Sequence, residues 1–161
     1  VRARRRVGRG LALIAPVVFA ALAAGAIALA ISAPPRFVAY VYLIVAGFDG
    51  FCQAGGQLAG KRRLAPRVSP GKTVEGFFIG IAGAIVCALL LQPGVVLSVP
   101  SALRLGCIIA LAGAAGDLAA SWMKRRAGLK DFGAVLPGHG GVLDRFDSFF
   151  AAATLLFLLG Y

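Results

Sequence analysis

Three clusters of positive charge interrupt a chain that is otherwise apolar enough to live in lipid, and their spacing restricts the fold more than any other feature. Five arginines precede Leu11 (Arg2, Arg4, Arg5, Arg6, Arg9), five basic residues lie between Lys61 and Lys72, and five more between Lys124 and Arg145; of the 17 basic residues only Arg36 and Arg104 fall elsewhere. The clusters alternate with five apolar segments: Leu11 to Ile31, Phe37 to about Ala59, Gly76 to Leu91, Ser101 to about Met123, and Phe149 to Tyr161. If each segment crosses a bilayer once, all three clusters fall on one side, and the positive-inside rule makes that side cytoplasmic. The expected fold is an all-α polytopic membrane protein, one domain over residues 1–161, with about five transmembrane or re-entrant helices and two long cytoplasmic loops, Gly60 to Thr73 and Lys124 to Asp147.

Composition agrees with that reading. A hydrophobic share of 60% with 14% charged residues excludes an ordinary soluble domain. Spanning takes about 20 residues, so the first, second and fourth segments suffice and the third does so if Val74 and Glu75 join it. The fifth has 13 residues and would cover only about 20 Å as a helix; it reads as short, re-entrant, or cut before a natural terminus. The start at Val1 fits either a fragment or an unusual start codon. The basic leader before Leu11 is compatible with a signal peptide, but the apolar run that follows exceeds a signal core, which favours an anchoring helix. Glycine and alanine concentrate within the apolar segments and predict close helix contacts. Cys52, Cys87 and Cys107 show no paired spacing, so neither a zinc site nor a disulfide framework is expected. The net charge of +11 raises nucleic-acid binding, but no aromatic-interleaved basic surface or nucleic-acid module accompanies it.

Function should then sit in the polar run Ser121 to Ser148, which holds half the acidic residues and the only histidine. Asp117, just before it, is a carboxylate in an apolar helix, costly to bury without a cation or strong donor. Asp144 and Asp147, at i and i+3, share a face if a helix opens at Leu143, so Asp117, Asp144 and Asp147 are candidate ligands of Mg²⁺. An N-cap role for Asp144 and ion pairs with Arg125 or Arg145 are the structural alternatives. The turn around His139, Gly140 and Gly141 can expose amide N–H groups to phosphate or simply turn the chain. Lys124, Arg125 and Lys130 can neutralise a polyphosphate or bind anionic headgroups. In the other loop Ser69, Lys72 and Thr73 can donate to phosphate, although the glycine spacing matches neither a Walker A loop nor a Rossmann turn. Asp49 is a second intramembrane carboxylate, lining a polar cavity or bonding between helices. Glu75, at the mouth of the third segment, reads by default as a helix-start charge, with a loop-pairing or active-site role as the alternatives.

Ser121, Lys124-Arg125, Lys130-Asp131, Gly133, Pro137, His139-Gly140-Gly141, Asp144-Arg145 and Asp147, with Gly116-Asp117 and the loop Leu64-Ala65-Pro66, Ser69-Pro70, Lys72-Thr73, Glu75-Gly76, resemble the C-terminal pattern of phosphatidate cytidylyltransferases, the CDP-diacylglycerol synthases. The resemblance runs from about Asp49 to Ser148. It implies transfer of the cytidylyl group of CTP to phosphatidic acid, giving CDP-diacylglycerol and pyrophosphate in phospholipid biosynthesis, with Mg²⁺. Catalytic roles are implied for Asp117, Lys124, Lys130, His139, Asp144 and Asp147. Substrate binding is implied for Ser69, Lys72, Thr73, Ser121, Arg125, Asp131, Gly140, Gly141 and Arg145. The implied setting is an integral membrane protein, in a bacterial inner or cell membrane, with its site facing the cytoplasm and a homodimer as a compatible state. Members usually have about eight or more membrane segments, so this chain corresponds to the catalytic C-terminal part. After Asp49 many bacterial members carry Thr-Gly-Ala and an aromatic residue where this chain has Gly50-Phe51-Cys52-Gln53. Other readings are a CTP-dependent enzyme on another lipid phosphate or polyprenol, an inactive membrane partner, and a transporter.

Overall fold

Proline, glycine and one capping hydroxyl decide where the helices start and stop. The computed structural model describes residues 2–128 and 143–161, with side chains for 14–128 and 146–161. Its elements are α1 (Arg2–Ser32), α2 (Pro35–Ala59), β1 (Arg63–Ala65), β2 (Ser69–Thr73), α3 (Val74–Val95), α4 (Val99–Ala127) and α5 (Leu143–Leu158). Pro35 opens α2 at its first position, where a missing N–H costs nothing. Thr73 caps α3, its hydroxyl accepting from the Gly76 amide at 3.1 Å. Gly128, at φ 75°, ends α4 in the left-handed conformation that glycine adopts without penalty, directly after Lys124, Arg125 and Arg126 complement the helix dipole.

The third apolar segment does recruit Val74 and Glu75, giving α3 a spanning length of 22 residues. The last helix opens at Leu143, six residues before the apolar stretch, and runs 16 residues. Among the described residues four helices are long and apolar enough to cross a membrane, Ile14–Ser32, Pro35–Ala59, Val74–Val95 and Val99–Ala127, and Phe146–Leu158 is a shorter apolar helix. The chain is an integral membrane protein. Lys130, Asp131, His139, Gly140 and Gly141 lie outside the described residues; Asp144 and Arg145 stand on α5, with side chains outside them.

The sequence predicts a stiff basic loop between Lys61 and Gly76, and the structure folds it into an antiparallel hairpin with Arg63 opposite Thr73 and Ala65 opposite Ser69. Two local bonds explain it: the Val68 amide donates to Ala65 O at 3.0 Å across the turn, and the Arg63 guanidinium donates to Pro70 O at 2.6 Å. Pro70 is tolerated because a two-stranded sheet has only edges.

Chain order is not spatial order. Neighbouring helices run α2–α3–α4–α5–α1, so the last helix wedges between α4 and the first. The interior of α3 is small throughout, with Gly76, Gly80, Gly83, Ala84 and Ala88 buried, while Phe78, Val86 and Leu90 point outward. This inversion suits lipid, where burying large apolar groups gives no drive and close backbone approach does. At Gly76 a Cβ would stand 2.6 Å from Cys52 O, so only glycine lets α2 and α3 meet beside the hairpin. Larger side chains fill the middle of the bundle, where Phe48, Ile44, Leu105, Ile109 and Leu156 are fully buried.

Candidate active site

Packing α2, α3 and α4 against the hairpin leaves a cavity of about 530 Å³ at one end of the bundle. Its apolar walls come from Phe48 and Cys52 of α2, Phe77 of α3, and Ala114 and Leu118 of α4. Its polar walls come from Asp49, Gln53 and Gln57 of α2, Arg63, Lys72 and Thr73 of the hairpin, and Asp117 of α4. An apolar chamber with a few convergent polar groups is the usual form of a small-molecule site.

The central contact joins two residues far apart in sequence. Lys72, near the end of β2, forms an ion pair with Oδ2 of Asp117, and both side chains are about three-quarters withdrawn from solvent (28% and 24% exposed). The Ser121 hydroxyl, one turn along α4, donates to Oδ1 of Asp117 at 3.3 Å. Asp117 thus has a cation on one oxygen and a hydroxyl on the other, which offsets its cost in an apolar helix. Two further carboxylates act on it electrostatically: Asp49 across the cavity, and Asp147 on α5. Asp147 is only 6% exposed and accepts from the Ser148 amide at 2.7 Å. It also feels the charge of Lys124, itself buried at the end of α4. Small residues permit this grouping: at Gly116 a Cβ would lie 3.0 Å from Asp147 O, so a larger residue would push α5, and Asp147 with it, away from α4.

The hairpin is fixed from three sides. Oε2 of Glu75 accepts the amides of Lys61 and Arg62 at 3.0 and 3.1 Å. The Val74 amide donates to Arg62 O at 2.9 Å. Nε of Arg125 donates to Val68 O at 3.2 Å, tying the end of α4 to the hairpin turn. Glu75 is therefore a loop-pairing carboxylate as well as an acidic group in the first turn of α3. Arg125 is engaged with the hairpin backbone, and Thr73 with the α3 cap while it also lines the cavity. Ser69 stands at the start of β2, outside the residues that line the chamber.

Of the sequence-predicted site residues, the structure thus brings together Lys72, Thr73, Asp117 and Ser121, with Asp147 and Lys124 behind them. It adds Asp49 to the same chamber, with Gln53 and Gln57, which the sequence reading passed over. Their signal was present: Asp49, Gln53 and Gln57 recur at i, i+4 and i+8, one face of α2. Among the described residues no three His, Cys, Asp or Glu side chains form a ready-made metal cluster. The donor chemistry nonetheless suits a hard divalent ion, since Asp49, Asp117 and Asp147 outnumber the two lysines that act on them and carboxylate oxygens are the ligands such ions take.

Comparison with known proteins gives one consistent family. Residues 5–161 match the cytidylyltransferase family. A phosphatidate cytidylyltransferase of Staphylococcus epidermidis is 43% identical over 126 residues, covering 77% of this chain and 48% of its own. One from Bacillus subtilis is 40% identical over 125 residues, covering 76% and 46%. The chain thus spans about half the length of the curated relatives it matches. A solved structure described as an intramembrane enzyme for archaeal membrane lipids biosynthesis shares the fold, with a TM-score of 0.56 and 24% identity over 74% of this chain and 78% of that one.

Proposed function

Because the chain belongs to the cytidylyltransferase family, we propose that it carries the site at which the cytidylyl group of CTP passes to phosphatidic acid, giving CDP-diacylglycerol and pyrophosphate. The observation that carries this reading is the Lys72–Asp117 pair, held between a fixed hairpin and an apolar helix inside the cavity. A phosphatidate oxygen forms a bond to the α-phosphorus of CTP while the bond from that phosphorus to the bridging oxygen breaks, and pyrophosphate leaves. Both reactants are anions, so the site must neutralise charge and hold them in line; no covalent intermediate is needed.

The residues divide that work. Lys72, paired with Asp117 at rest, turns to the incoming phosphate oxygens. That exchange frees the carboxylate of Asp117. Ser121 keeps Asp117 oriented through its hydroxyl. Lys124 offsets charge near Asp147, and Arg125 holds the hairpin turn against α4. Asp117 and Asp147 with Asp49, and Asp144 from α5, would hold Mg²⁺. When bound, that ion supplies Lewis-acid neutralisation of the phosphates. Lys130, Asp131, His139, Gly140, Gly141 and Arg145 belong to the same proposal as phosphate-binding and charge-balancing groups, on the resemblance of their motif. The site faces the cytoplasm, on the side where the basic clusters gather, and draws CTP from there. Phosphatidate keeps its acyl chains in the bilayer and presents its phosphate at the apolar wall. A homodimer is compatible with this arrangement and is not required by it, since one chain lines the cavity.

The test is direct. The chain is reconstituted in vesicles containing phosphatidic acid and supplied with labelled CTP and Mg²⁺. CDP-lipid and pyrophosphate should form in equal amounts, stop on chelation, and fall by about 10²–10³-fold in Asp117→Asn. A folded preparation that binds no CTP and forms no CDP-lipid overturns the reading. Competition from polyprenyl or archaeal-type lipid phosphates in the same vesicles assigns the lipid acceptor.

A further inference from the structure

Thr73 lines the chamber but has no task in the chemistry above. It is the last residue of β2 and the cap of α3, so whatever holds Thr73 also holds its neighbour Lys72. Thr73 is 8% exposed, and three glycines close around its hydroxyl: a Cβ would stand 3.1 Å from Oγ1 if built on Gly56, 2.9 Å on Gly60 and 2.8 Å on Gly76. Gly56 lies in the last turn of α2, Gly60 caps that helix, and Gly76 lies in the first turn of α3. The same oxygen accepts the Gly76 amide at 3.1 Å. The hydroxyl thus sits in a socket where α2 ends and α3 begins, and a side chain on any of the three glycines would crowd it. Successive side chains of a strand point to opposite faces. With Thr73 seated in this junction, Lys72 is turned the other way, to Asp117 on α4.

We propose that Thr73 is a positioning residue: seated in the glycine socket, it fixes the reach of Lys72 into the chamber, and its hydroxyl does not itself bond phosphate. The effect on turnover rests on the nucleotide-transfer reading, whereas the hold on Lys72 rests on the packing alone. A lysine ammonium rides on a flexible four-carbon stem, so its placement depends on a fixed backbone beneath it. Glu75 and Arg125 tie the hairpin at its foot and its turn, while Thr73 acts at the residue next to Lys72. Removing the hydroxyl would orphan the Gly76 amide and loosen the junction of β2 with α3. Lys72 would then lose its aim by a small displacement, and displacements of about 1 Å are enough to slow an oriented reaction by about 10²-fold.

The experiment reads Lys72 directly in the purified full chain: trace acetylation by acetic anhydride, resolved by peptide mass spectrometry and normalised to the exposed Lys61. In wild type Lys72, paired and three-quarters withdrawn from solvent, should react slowly. Thr73→Val keeps the shape and removes the cap. Lys72 acetylation should rise about fivefold, the equivalent of one ordinary hydrogen bond. In the same variant kcat should fall by about 10–100-fold, with KM for CTP changing less. Thr73→Ser, which keeps the hydroxyl, should restore the protection of Lys72. Gly56→Ala probes the opposite wall: among the described residues its Cβ would meet only Thr73 Oγ1 within 4 Å, and alanine favours the helix. It should expose Lys72 without weakening α2, and it carries the test if the valine variant fails to fold. On Thr73→Ala, which empties the socket, Gly56→Ala should have no further effect. Unchanged Lys72 reactivity in Thr73→Val or in Gly56→Ala overturns the proposal, as does a Gly56→Ala effect that persists on Thr73→Ala. Lost CTP affinity in Thr73→Val with Lys72 still protected overturns it too and makes the hydroxyl a substrate contact. Wild type that binds no CTP yet keeps this labelling pattern removes the nucleotide reading and leaves the hold on Lys72 demonstrated.

Discussion

At the scale of single residues, the proposed chemistry turns on a charge pair expected to matter more to function than to stability. Lys72 and Asp117 are each about a quarter exposed, so losing one leaves the other charge poorly solvated. Lys72→Met or Asp117→Asn should cost roughly 1–3 kcal/mol, below the figure for a fully buried pair. The double variant removes both charges and should regain most of that stability while remaining inactive. Thermal unfolding in detergent alongside CDP-lipid turnover checks this; a double variant less stable than either single would show that the pair stabilises the fold outright. Asp117 could be singled out in the sequence because a carboxylate in an apolar helix needs a reason to be there. Its partner was not legible as such, because 45 residues separate Lys72 from Asp117 and no local periodicity links a hairpin to a distant helix. Gln53 and Gln57 were missed for a related cause: an amide is unremarkable until a cavity is known to face it.

At the scale of elements, the hairpin depends on one carboxylate. Glu75 accepts two consecutive amides at its base, and without them the hairpin keeps the Val74 bond at its foot, the Arg63–Pro70 bond within it, the Arg125 contact at its turn and the Lys72–Asp117 pair. Glu75→Ala should therefore lower turnover and expose the hairpin to trypsin at Arg62, Arg63 and Arg67, with the helices still resistant. Unchanged cleavage rates would mean that the remaining bonds suffice. The sequence marked this segment through Pro66, Pro70 and Gly71 but not its strands. A ladder this short carries no reliable alternation of apolar and polar residues, and its stability comes from Glu75, Arg63 and Arg125, that is, from contacts rather than propensity.

At the scale of the whole molecule, the order of helices matters more than their number. The Thr154 hydroxyl lies 2.8 Å from Leu22 O and 2.7 Å from Phe150 O, and Gly25 leaves room for it, since a Cβ there would lie 2.8 Å from Thr154 Cβ. Gly25→Leu should pry α1 from α5 at a cost of about 1–3 kcal/mol. Turnover by the molecules that remain folded should persist, because among the described residues no side chain of α1 lines the chamber. Loss of turnover in a folded, correctly inserted variant would instead place α1 within the catalytic unit.

Apolar length and charge alternation by themselves determined that this chain is a membrane-embedded helical bundle, because a bilayer admits few backbone arrangements and charge biases their orientation. The spacing of its charged residues marked Asp117, Lys72 and Asp147 individually as candidates. Only the tertiary structure decided which of them meet, that α5 lodges between α4 and α1, and that the face of α2 bearing Asp49, Gln53 and Gln57 opens on the chamber. The physical reason is that the bilayer specifies each span one at a time, whereas the packing of spans rests on small-residue contacts whose partners the sequence does not name.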